Sequence, residues 1–134
     1  SSTTHHQLTH EEQIDEKLGY QPQATTFIER SMDACGAFIR TLAEFKEGAG
    51  TLLDNCLVYA HSDTEFARIH SISGIPMMTA GKAGGRLKTG MHIASNGEPI
   101  TRVGLTIQQL MGVRVDKWGT NSLQTSKPIT DILT

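Results

Sequence analysis

The chain has 134 residues, with 12 Lys and Arg against 14 Asp and Glu and a formal net charge of -2. The length fits one domain or a piece of a larger one, and the near-neutral balance argues against nucleic acid as the main partner, because phosphate binding needs clustered cations. With 37% hydrophobic and only 5% aromatic residues the core is predicted to be thin, and no apolar run approaches the roughly 18 residues that a membrane span needs.

The first 24 residues are polar and rich in His, Gln, Glu and Thr, and read mostly as loop with one short helical turn. The opening SSTTHHQLTH has neither an initiator Met nor a leader with basic residues before an apolar stretch. It is read as the start of a fragment, 1–134 being one piece of a larger domain. Pro22 closes this His-rich segment. A helix is predicted over 26–47, opened by the capping-box pair Thr26 and Glu29. Ile28, Met32, Cys35, Ile39 and Leu42 recur at steps of three and four, and Phe38 and Phe45 widen that stripe. Gly48 and Gly50 supply the stop.

Leu52–Leu53–Asp54–Asn55 reads as a turn, and the apolar run Cys56–Ala60 as a strand buried on both faces. A second run, Ile75–Ala80, ends at Gly81, with Met77 and Met78 as core filling. Residues 81–90 read as a Gly-rich loop with a short hairpin. A second helix is predicted from about Thr101, carried by Val103, Ile107, Leu110 and Met111 and ended by Gly112. Residues 115–134, with Trp118, read as an ordered extension. Helix, buried strand, strand, helix is an α/β pattern with a partly parallel sheet, in which ligands gather at the carboxyl ends of strands.

Three groups could carry chemistry. His6 and His10 stand at i, i+4, which on a helix puts both imidazoles on one side within reach of one ion, with His5 and Glu11 alongside. Surface histidines in a polar segment are the alternative. His61, Asp63 and Glu65 fall on one face if the strand runs past Ala60, with His70 a short loop away. Such a group can bind a metal or act as general acid and base; a solvated loop is the alternative. Lys82, Arg86 and Lys88 in the Gly81–Gly90 loop could steady an anion on converging backbone amides, although neither GxxxxGK[ST] nor GxGxxG is present. Cys35 and Cys56 are too few for a disulfide scaffold and lack CxxC spacing. They read as two inert thiols, with a single bridge left open. No GxSxG nucleophile elbow occurs.

The phrases HQLTHEE, GTLLDN before an apolar strand, and GGRLKTG together resemble the C-terminal part of the HXXSHH family, over roughly residues 5 to 133. These are uncharacterised secreted bacterial proteins related in fold to alkaline phosphatases and sulfatases. The motif histidines fall on His6 and His10, and the last motif histidine is replaced by Glu11. The resemblance implies the C-terminal part of an alkaline-phosphatase-like three-layer α/β fold with a mostly parallel sheet. It also implies export to the periplasm or beyond and a divalent metal (Zn, Mn or Ca) at His6, His10, Asp63, Glu65 and His70. Lys82, Arg86 and Lys88 would then face a small anionic phosphate or sulfate ester. The rival expectation is a catalytically inactive accessory subunit of an extracytoplasmic complex, binding other protein subunits.

Overall fold

The structure, a computed structural model, describes residues 3–134. The chain gathers into two compact units: residues up to Thr41 with Ala60–Met77, and Leu42–Tyr59 with Met78–Thr134.

The first unit opens with a helix the sequence barely announces, α1 (His5–Glu11). Thr4 caps it: its hydroxyl accepts from the Gln7 N–H, and the Gln7 side chain accepts from the Thr4 N–H at 2.9 Å. This reciprocal pair satisfies two donors that a helix start leaves open. At the other end the Gln21 side-chain amide donates to the carbonyls of Leu8, Thr9 and Glu12. The long helix α2 (Pro22–Glu44) starts at Pro22, not at Thr26. Proline suits the first helical position because its missing N–H has no intrahelical partner there. The Glu12 carboxylate accepts from the N–H groups of Gln23 and Ala24, both at 2.8 Å, and so acts as a cap supplied from a distance. Thr26 lies inside the helix, its hydroxyl turned back to the Gln23 carbonyl.

Most of the apolar stripe on α2 stays in contact with solvent. Ile28, Met32 and Phe38 are 52%, 48% and 55% exposed, and Phe45 just beyond the helix 65%. Cys35, Ile39 and Leu42 are half-buried.

The second unit begins with a hairpin, β1 (Lys46–Glu47) against β2 (Gly50–Thr51), and a single helical turn, α3 (Leu52–Asn55). Its later part holds α4 (Thr101–Leu110). Leu110 packs with Ala83 and Leu87 in a small core, closed by Leu57, Ile132 and Leu133. Leu105 and Thr106 are fully buried; the Thr106 hydroxyl donates to the Arg102 carbonyl and accepts from the Ile129 N–H. The tail is ordered. Leu133 bridges to Leu87, Arg102 donates to the carbonyls of Lys127 and Pro128, and Trp118 exchanges two backbone bonds with Thr125. The Trp118 indole rests where Gly104 has no side chain; a Cβ there would lie 2.8 Å from its Nε1.

The expected parallel sheet is not what forms. The strands β3 (Val58–His61) and β4 (Met77–Ala80) make a two-stranded antiparallel ribbon, and with the β1–β2 hairpin these are the two sheets of the described residues. This is not an alkaline-phosphatase-like three-layer fold. The reason lies in the connection. Two parallel neighbours need a crossover of a dozen or more residues, usually a helix. Residues 62–76 hold only a 3-10 turn at Ala67–Ile69 and a bridge from Phe66 to Ser71, which fold the segment back on itself. Ser62 then donates to the Pro76 carbonyl, continuing the antiparallel pairing. Strand β3 is correspondingly half-buried, not enclosed on both faces, and His61 is exposed.

Candidate metal centre

Three imidazoles from two distant stretches of sequence meet in the first unit. His6 and His10 come from consecutive turns of α1, their ring centroids 4.7 Å apart and close to edge-on. His70 reaches His10 from the segment between β3 and β4, at 5.0 Å between centroids and tilted. His10 is half-buried, and His6 and His70 are exposed. The ring of His5 is not part of this group and stacks on Phe27 at 5.1 Å.

The local backbone explains how His70 arrives. It caps the Ala67–Ile69 turn in the left-handed region, φ 52 and ψ 39, and its N–H donates to the Ala67 carbonyl. Ser71 and Phe66 then close the loop through the Ser71 N–H and the Phe66 carbonyl, with the Glu65 N–H on the Ser71 carbonyl. Arg68, in the same turn, donates to the Gln13 side chain at 3.2 Å, a second tie between this segment and the stretch after α1.

Two imidazoles bound to one tetrahedral ion through nitrogens at about 2.0–2.1 Å have ring centroids about 5 Å apart. The spacings of 4.7 and 5.0 Å therefore match what an ion would ask of these rings. Among the described residues, however, no group of three or more His, Cys, Asp or Glu side chains is placed to hold a metal ion as it stands.

The other expected ligands are placed differently. Strand β3 ends at His61, so the alternation that would align His61, Asp63 and Glu65 is not continued. Asp63 and Glu65 lie exposed in the irregular stretch before Phe66. The His61 Nδ1 meets the carbonyl of Ser62 at 2.9 Å. Glu11 closes α1 in an exposed position.

The Gly-rich loop belongs to the second unit, and its polar groups are engaged with the chain itself. The N–H groups of Lys82, Ala83 and Gly84 donate to the carbonyls of Leu53, Cys56 and Asp54. Those three amides are therefore directed at α3 and its end, not at a bound anion. Lys82 pairs with Asp54 at 2.8 Å, and Arg86 donates through Nε to the Ala83 carbonyl. Lys88 is exposed. Lys82 and the Thr51 hydroxyl and N–H hold the Asp54 carboxyl well below the usual range, at about 2, against a smaller opposing push from lost solvent. The same ion pair raises Lys82 above its ordinary value. In the first unit, lost solvent pushes the Glu12 carboxyl upward, but the amides of Ala24 and Gln23 together pull it below its ordinary value. Cys35 and Cys56 are both free thiols, half-buried.

Sequence spacing pointed to His6 and His10 and placed His70 with a different cluster, and only the family resemblance put all three in one ligand set, together with Asp63 and Glu65. Nothing local could pair His70 with α1, because that contact depends on the fold between them. Compared with family models, curated proteins and solved structures, the chain finds no match in any of the three.

Proposed function

We propose that this chain binds a divalent transition metal through His6, His10 and His70. One observation carries the reading: the His10 ring lies 4.7 Å from that of His6 on the same helix and 5.0 Å from that of His70 on the far segment, the spacing of neighbouring imidazoles on one ion. Imidazole nitrogens suit zinc, copper, iron or nickel, whereas calcium takes oxygen ligands. Of Zn, Mn and Ca, zinc is the ion this set favours. Three imidazoles leave one tetrahedral position for water, the arrangement from which zinc chemistry on phosphate or sulfate esters starts. An extracytoplasmic setting is supported by the resemblance to exported proteins alone.

The test is zinc titration of the untagged, metal-stripped protein by calorimetry, alongside its His10→Ala variant. One equivalent is expected for the parent chain. Replacing His10, which touches both other rings, is expected to weaken binding at least tenfold. Equal binding by the two proteins, or none by the parent, removes the reading.

A second reading, an accessory subunit that docks on another polypeptide, is favoured by the half-exposed residues Ile28, Met32 and Phe38 of α2. Apolar surface gathered along one helix face is the usual form of a helix that packs against something.

A further inference from the structure

The two segments carrying the imidazoles meet through the packing of α1 on the Ala67–Ile69 turn. Helix α1 has seven residues and no buried side chain, far below the length at which an isolated helix is stable in water. Its polar ties run to Gln21, and the following residue, Glu12, caps α2. Toward the segment of His70, α1 packs against the Ala67–Ile69 turn, the Arg68 side chain donates to Gln13, and the His10 and His70 rings are in contact. His70 also occupies a backbone conformation that glycine or asparagine adopts at less cost. A histidine held there presents its ring to His10.

We infer that an ion shared by His6, His10 and His70 is a clamp: it fastens α1 to the Phe66–Ser71 turn and adds its own binding to the packing that already joins the two segments. This rests on the metal-binding reading above and adds what the ion does for the chain. The physical basis is linkage. An ion whose ligands come from both segments binds only when they are together, so it suppresses their separation in proportion to its own binding.

The experiment is amide hydrogen exchange on the full chain, with and without Zn2+, for the parent protein and for His70→Asn. Asparagine tolerates the left-handed position, so the turn is kept while the imidazole is removed. With free zinc at 100 times its dissociation constant, opening of the clamped pair is expected to fall about 100-fold. Exchange should slow in both residues 5–11 and residues 66–71 of the parent. His70→Asn should lose the zinc-dependent slowing at 66–71, each protein being compared with itself in the absence of zinc. If zinc binds and slows only residues 5–11, the clamp is wrong and a metal held by α1 alone stands. If zinc fails to bind at all, the metal-binding reading falls with it. The parent protein with and without zinc decides the matter even if the variant does not fold.

Discussion

Gly81 is the residue whose side chain the fold can least accept. Its φ is +93, and a Cβ there would collide with the carbonyl oxygens of Cys56 and Leu53. Those carbonyls accept from Ala83 and Lys82, so the obstruction is backbone that cannot swing aside. Gly81→Ala is expected to cost about 2–4 kcal/mol, combining left-handed strain with overpacking. Urea unfolding followed by Trp118 emission measures this; a loss under about 0.5 kcal/mol would show that α3 can shift away from the loop. The sequence marked Gly81 as the end of an apolar run, which is correct as far as it goes. That the glycine exists for close approach to α3 needs the position of Cys56 and Leu53, which no local pattern supplies. His70 teaches the same lesson at the metal centre: its spacing from His61 is written in the sequence, and its meeting with His10 is a product of the turn at Ala67–Ile69.

Among the elements, α3 and the glycine-rich loop are joined by a pair whose strength depends on pH. Asp54 is depressed to about 2 by Lys82 and Thr51, and Lys82 is raised by Asp54. A depressed carboxyl contributes stability above its unfolded value, near 3.8, and loses it as pH falls toward 2. A raised lysine contributes below its unfolded value, near 10.5, and loses it as pH climbs past the folded one. Glu12 acts in the acid direction too, at the start of α2. The pair is therefore intact from about pH 4 to about pH 10. Asp54→Asn is expected to lower the denaturant midpoint at pH 7 and to flatten its fall between pH 4 and pH 2. A midpoint falling as steeply in the variant as in the parent would assign acid sensitivity to other carboxylates.

Elements with strong periodicity were legible and polar ones were not. Helix α4 starts at Thr101 and stops before Gly112, as its apolar spacing and terminal glycine predict, but its buried residues are Leu105, Thr106 and Leu110, while Val103 and Ile107 are half-buried and Met111 is exposed. α2 was recognised by its stripe, but its start was misplaced, because Thr26 and Glu29 imitate a cap that Glu12 supplies from outside the helix. α1 carries no apolar face. The Thr4 and Gln7 pair, three residues apart, forms its capping box and was not singled out in the sequence. The parallel sheet was misread because two apolar runs say nothing of direction. The connection between them does.

For the whole molecule, the balance of apolar surface governs behaviour. The buried hydrophobic residues are Ala24, Ala83, Leu87, Leu105 and Leu110, a small set against the entropy of ordering a chain of this length. Exposed large side chains include Phe38, Phe45, Ile72, Met91 and Met111. If the stripe on α2 serves contact with another polypeptide, changing both Phe38 and Phe45 to Glu is expected to leave unfolding within about 0.5 kcal/mol of the parent. The zinc stoichiometry should also be unchanged, and any concentration-dependent association seen by sedimentation should diminish. Loss of folding in this variant would show instead that the two phenylalanines belong to the chain's own core.

The single tryptophan of the chain stands in the second unit, its indole fitted over Gly104. Its emission is a local witness. Zinc could fill the histidine centre without changing the colour of that light, and a fluorescence titration would then record silence where calorimetry records heat. Any optical study of the first unit needs a lamp of its own, placed there deliberately.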